Sequence, residues 1–356
     1  MNHHQESSRI RILLVEDSPV IRELLLYIIG TDPTLDVVAT AEDGELAVTF
    51  AQHYKPDIVL MDIHLPKLDG FAATRKIMET CPTRVVMVTA TSIPEQIAST
   101  FEALDSGALT VMAKPPGPTH RDHRRLADEL LQTVRLMSEV RVVKRWPRKQ
   151  SREKETILHL QDLATGVDIR LVAIGASTGG PLALREILSR LPKDFAAPIL
   201  IVQHISTGFD GGFVEWLAKT SGYDVRLANH GDIVRPGVAY VGPSGRHLTL
   251  SRGGVVDLQL AAPENGMCPS VSYLFRSATE MFGANAVGVL LTGMGCDGAL
   301  ELRQMRQAGA LTIAQDQESS TVFGMPGEAI NLGAATYVLA PEEIAAALTD
   351  IMKALK

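Results

Sequence analysis

The feature that most constrains this chain is an alternation, met twice, of short apolar runs that end in turns with amphipathic segments that follow them. Over residues 10–114 the apolar runs are Ile10–Val15, Leu35–Ala39, Ile58–Met61, Val85–Val88 and Leu109–Met112. Stretches such as Val20–Ile29 and Glu45–Tyr54 carry their apolar residues at helical spacing, and a last helix is predicted over Arg121–Val140. Strands that are apolar throughout need cover on both faces, so five βα units predict a five-stranded, parallel, doubly wound sheet. Ligands of such sheets gather at the C-terminal ends of the strands.

Residues 141–155 read RVVKRWPRKQSREKE, charged and without sustained periodicity, so residues 141–165 are predicted to link two domains, 9–127 and 166–356. Beyond the linker, strands are predicted at Leu171–Ile174, Pro198–Val202, Val287–Leu291, Leu311–Ala314 and Tyr337–Leu339. Helices are predicted at Pro181–Arg190, Phe209–Lys219, Ser270–Phe282, Ala299–Ala308 and Pro341–Leu355. This is a second, Rossmann-like α/β pattern with a mostly parallel sheet. Within it, Val238–Ser251 reads as a hairpin turning at Gly242-Pro243-Ser244-Gly245.

Composition narrows the class of partner. With 41 acidic against 34 basic residues the chain carries a net charge of −7, so a nucleic acid is not expected as its main partner. Three scattered cysteines, Cys81, Cys268 and Cys296, suit neither a disulfide framework nor a zinc site and point to a reducing compartment. Met1–Arg11 is polar, and no apolar run is long enough to cross a bilayer. The expectation is a cytoplasmic protein without direct membrane insertion.

In the first pattern, Glu16 and Asp17 follow the first strand and Asp62 follows the third, which places three carboxylates on one rim. Like charges so close raise one another's pKa unless a hard divalent cation joins them, and Mg²⁺ suits an oxygen site that keeps room for water and phosphate. Thr89 closes the fourth strand and Lys114-Pro115 the fifth on the same rim, supplying a hydroxyl and a cation for a phosphoryl group. Three solvated loop acids would be the bland alternative.

In the second pattern, the strand at Leu171 runs into Gly175-Ala176-Ser177-Thr178-Gly179-Gly180-Pro181. This matches the G-x-S-x-G turn that exposes a nucleophilic serine, and its N–H groups can meet an oxyanion, worth about 3 kcal/mol per donor elsewhere. A phosphate cradle and a merely tight turn remain alternatives, although the G-x-G-x-x-G spacing and a P-loop lysine are absent. A serine needs a base, and the base needs an orienting acid. His204, after the next strand, is favoured over His230 and His247, which lie in polar segments. Asp297, in TGMGCDG after strand Val287–Leu291, is the candidate acid, with Asp316 as the alternative. The order Ser…His…Asp differs from that of the α/β-hydrolases.

LLVEDS, MDIHLPKLDG, VVMVTA and AKPPG resemble the response-regulator receiver family, whose fold is flavodoxin-like. The resemblance implies phosphorylation of Asp62 by a chemosensory histidine kinase. It further implies Mg²⁺ held by Glu16, Asp17, Asp62 and the His64 backbone carbonyl, with Thr89 and Lys114 contacting the phosphoryl group. Glu16-Asp17 replaces the Asp-Asp of many members, and Val111 stands where the family carries its switch aromatic. IGASTGG, IVQHIS, LTGMGCDG and AQDQESSTVFGMP in turn resemble the catalytic domain of the CheB protein-glutamate methylesterases. That resemblance implies a Ser177–His204–Asp297 triad, with Thr178 and Met294 lining the oxyanion region. It implies hydrolysis of glutamate methyl esters on methyl-accepting chemoreceptors, deamidation of receptor glutamines, and activation by phosphorylation. Gly327 replaces a basic residue found in many members. A receiver-linked, non-catalytic receptor-binding adaptor is the alternative from another functional class.

Overall fold

The computed structural model of the protein describes residues 9–89, 101, 104, 106–140 and 168–353; the predicted linker lies outside them. The chain divides into two compact units, Met1–Trp146 and Pro147–Lys356.

In the first unit, strands β1 (Ile10–Val15), β2 (Leu35–Ala41), β3 (Ile58–Asp62), β4 (Arg84–Thr89) and β5 (Thr110–Ala113) form one parallel sheet in the order β2-β1-β3-β4-β5. Helices α1 (Pro19–Gly30), α2 (Gly44–Tyr54), α3 (Gly70–Thr80) and α4 (His123–Glu139) lie between or after the strands. Three of them begin on a side-chain cap from the sequence itself: Ser18, Asp43 and Asp69 each accept from a backbone N–H of the first turn. All residues of β3 are buried, as expected of a central parallel strand. Strand order reverses between β1 and β3, and Glu16, Asp17 and Asp62 stand at that crevice.

In the second unit, β6 (Leu171–Ala176), β7 (Ile199–Gln203), β8 (Asp224–Leu227), β9 (Val238–Val241), β12 (Ala286–Leu290), β13 (Leu311–Gln315) and β14 (Tyr337–Leu339) make a parallel sheet ordered β14-β13-β12-β6-β7-β9-β8. Helices α5 (Gly180–Arg190), α6 (Asp210–Ser221), α7 (Val271–Phe282), α8 (Ala299–Gln307), α9 (Met325–Asn331) and α10 (Pro341–Lys353) connect or follow them. Strands β6, β7 and β12 are buried end to end. The order reverses at β6 and β12, so this crevice opens beside Ser177.

The hairpin predicted over Val238–Ser251 is corrected by the structure. Val238–Val241 is β9, hydrogen-bonded between β7 and β8, whereas β10 (His247–Ser251) pairs antiparallel with β11 (Val255–Gln259). The hairpin therefore turns at Arg252-Gly253-Gly254, where both glycines have positive φ (83° and 72°). Gly242–Gly245 looked equally turn-like, but buried β9 finds its partners across the sheet, where both of its faces are covered.

Candidate functional site

The serine turn is built by contacts between strand ends. Ala176 and Gln203 are register partners on β6 and β7, so Ser177 and His204 are the next residues outward on adjacent strands. The His204 N–H donates to the Ala176 carbonyl at 2.9 Å. Gln203, 2 % exposed, turns its side chain back and donates from Nε2 to the carbonyls of Ser177 and His204, both at 2.8 Å. One amide thus clamps both segments. Gly180 makes room for it, because a Cβ there would fall 2.2 Å from Gln203 Oε1. Sequence reasoning missed Gln203; its signal was a polar residue ending an apolar run just before the histidine.

On the other side stands the turn after β12. The Ser177 N–H donates to the Thr292 carbonyl at 3.0 Å, so that amide is already spent. Thr292 Oγ lies 2.9 Å from the Thr178 carbonyl, tying the two turns together. Gly293 is required by contact, since a Cβ there would lie 2.6 Å from Ser177 Cβ and 2.4 Å from Met325 Sδ. Met294 is half-buried beside it, as is Thr178 beside Ser177.

His204 and Asp297 meet: Nε2 lies 2.9 Å from Oδ2, and both side chains are almost wholly buried. An acceptor-only carboxylate at Nε2 assigns the ring proton to that nitrogen, leaving a lone pair on Nδ1. Nδ1 is buried and has no hydrogen-bond partner among the described residues. The competing residues go elsewhere. His230 is exposed and accepts from the Leu258 N–H, while His247 is buried in a stack on Tyr273. Asp316 accepts from the Ser319 N–H and hydroxyl in a local turn.

Asp297 is held by the start of α7, residues that sequence reasoning placed only as a helix boundary. Oδ1 accepts from the Ser270 and Ser272 hydroxyls at 2.7 and 2.8 Å, and Oδ2 accepts from the Val271 N–H at 2.7 Å. Asn265 Nδ2 adds a donor at 3.2 Å. The positive end of the helix faces the carboxylate. Two glycines allow this approach: a Cβ on Gly175 or Gly298 would fall 2.3 or 2.4 Å from Val271 Cγ1. Burial alone would push the Asp297 pKa up; hydrogen bonds and charge from His204, then Ser270 and Val271, hold it far below the carboxylate range. Ser270→Ala removes one short bond to this carboxylate. The expected cost is about 1–2 kcal/mol in stability and about tenfold in kcat, read by thermal melts and initial rates.

In the first unit, Glu16, Asp17 and Asp62 each offer a carboxylate oxygen, all within 4.8 Å of one another. Lys114 Nζ, 6 % exposed, bridges Glu16 at 2.7 Å and Asp62 at 2.9 Å. The Lys114 N–H donates to the Thr89 carbonyl, joining the ends of β4 and β5. Burial raises the Glu16 pKa; its bond to Lys114 opposes this, and the charge of Asp62 adds to it. Asp17 is exposed, and His64 follows β3 on the surface. Two buried acids, Glu16 and Asp62, and the exposed Asp17 form a hard oxygen set on one rim that suits Mg²⁺. Val111 on β5 is half-buried.

Comparison with known proteins places both units. Residues 12–123 match the response regulator receiver domain model, and residues 172–348 match the CheB methylesterase model. A curated protein-glutamate methylesterase/protein-glutamine glutaminase of Geobacter metallireducens is 49% identical over 96% of this chain and 99% of its own length. One from Nitrosospira multiformis is 49% identical over 96% of this chain and 97% of its own. The crystal structure of the Thermotoga maritima CheB methylesterase catalytic domain, 38% identical, superposes with a TM-score of 0.50, covering 52% of this chain and all (100%) of that one. With its receiver ahead of its hydrolase-like unit, the chain belongs to the CheB methylesterase family.

Proposed function

We propose that this protein hydrolyses glutamate γ-methyl esters on methyl-accepting chemoreceptors, and deamidates receptor glutamines, as a phosphorylation-activated enzyme of chemotactic adaptation. One observation carries the catalytic part: the imidazole of His204 is fixed through Nε2 on a buried acid, while its buried Nδ1 stays unpaired one register step from a serine. Ser177 Oγ attacks the ester carbonyl and gives its proton to His204 Nδ1. The tetrahedral intermediate collapses to an acyl-enzyme as His204 returns that proton to the departing methanol. Water, deprotonated by Nδ1, then frees the glutamate; with glutamine the leaving group is ammonia. Asp297 holds the productive tautomer and stabilises the imidazolium. The amides of Thr178 and Met294 are assigned to the oxyanion, because that of Ser177 is engaged by Thr292.

Asp62 takes a phosphoryl group from a chemosensory histidine kinase. Glu16, Asp17, Asp62 and the His64 carbonyl would hold Mg²⁺, which would offset the phosphoryl charge. Thr89 and Lys114 contact the phosphoryl oxygens, and for Lys114 this means loosening its hold on Glu16 or Asp62. Residues 141–165 tether 9–127 to 166–356, and the protein acts at the cytoplasmic face of the receptors, with neither nucleic acid nor membrane insertion involved.

Methanol release from methylated receptors, with and without a small phosphodonor, tests the reading. Asp62→Asn is expected to remove stimulation by the phosphodonor. Stimulation equal to that of the wild type would refute activation through Asp62. A receptor-binding adaptor would release no methanol in a Ser177-dependent way.

A further inference from the structure

Beside the proposed catalytic groups lies a cleft of about 500 Å³, lined among others by Gly295, Cys296, Phe323, Gly327, Glu328 and Asn331. It is joined to the serine turn through backbone. The Gly324 and Met325 N–H groups both donate to the carbonyl of Gly293, the residue packed on Ser177, and Cys296 immediately precedes Asp297. Glu328 is the one charged residue in the lining, half-buried and without a cation beside it there. A carboxylate on a partly desolvated wall attracts a cation and repels an acid more strongly than it would in water. Gly327 lets the Phe323 ring lie close on the cleft wall, since a Cβ at this position would stand 3.0 Å from that ring.

We propose that this cleft is a specificity subsite that takes a lysine or arginine side chain of the substrate protein, neighbouring the esterified glutamate, against Glu328. The inference rests on the esterase reading and adds a charge preference to it. Residues three or four positions from the ester share its face on a helical substrate, so they are the ones brought to the cleft.

The test uses the full chain with a phosphodonor and helical receptor fragments, each bearing one glutamate γ-methyl ester. Lysine, glutamine or glutamate is placed three or four residues to either side. Lysine at one of these positions should raise kcat/KM about fivefold over glutamate, through KM, and Glu328→Gln should bring the ratio to about one. Equal rates for all fragments, or a preference that survives Glu328→Gln, would overturn the subsite. The exposed thiol of Cys296 on the cleft wall gives a readout independent of turnover. The lysine fragment should slow its alkylation by iodoacetamide more than the glutamate fragment does, and equal protection would also overturn the subsite. If lysine-selective protection appears but no fragment releases methanol, the esterase reading fails and the cationic subsite stands.

Discussion

Ser177→Ala is expected to lower methanol release by at least about 10³-fold while leaving the fold intact. The turn around residue 177 is held by backbone groups: its N–H by Thr292, its carbonyl by Gln203 and by the Gly180 N–H. Alanine keeps all three, so melting temperature should shift little. Under the proposed mechanism the substitution removes only the nucleophilic oxygen, leaving oxyanion contacts and binding to supply whatever rate remains. Single-turnover methanol assays beside thermal melts check both halves. Activity within tenfold of wild type would end the serine mechanism.

Asp297→Asn should be costly in two ways. Both carboxylate oxygens accept hydrogen bonds, Oδ1 from Ser270 and Ser272, Oδ2 from Val271 and His204. An amide presents its NH₂ to one of these sets and orphans buried donors, at about 3 kcal/mol. It also loses the acceptor that sets the His204 tautomer. The expected loss in kcat is about 10³–10⁴-fold, the size of the corresponding loss in a serine protease. The acid limb of the stability curve carries the same information. Because the folded pKa of Asp297 lies below its unfolded value, the carboxylate's contribution is complete above about pH 4 and fades as pH falls toward the folded pKa. Below about pH 4 the wild type should therefore lose stability about 1.4 kcal/mol per pH unit more steeply than Asp297→Asn. Parallel acid limbs in urea titrations at graded pH would contradict this.

The predicted strands of both sheets appear with ends shifted by a residue or two, because buried parallel strands are written as apolar runs with little ambiguity. Short or exposed elements were not legible. Strand β8, Asp224–Leu227, alternates exposed and buried residues over too few positions to stand out, and α9 begins Met325-Pro326-Gly327, a poor helical signature. The hairpin was misread because turn chemistry occurs at both Gly242–Gly245 and Gly253-Gly254, and pairing, not turn propensity, chose between them.

The candidate site divides in the same way. The residues that end β1, β3, β4, β5, β6 and β7 are local facts of the sequence: Glu16, Asp62, Thr89, Lys114, Ser177 and His204 each follow from where an apolar run stops. So does Asp297, in the turn after β12. What the sequence did not contain in readable form is which histidine nitrogen faces the acid, how a buried carboxylate stays ionised, and which serine amide is spent. Those depend on Gln203 reaching back across two strand ends, and on Ser270, Val271 and Ser272 arriving at Asp297 from more than twenty residues away. Strand ends are placed by hydrophobic periodicity within a few residues. The protonation pattern of a buried histidine–carboxylate pair is decided by donors and acceptors that only tertiary packing brings together.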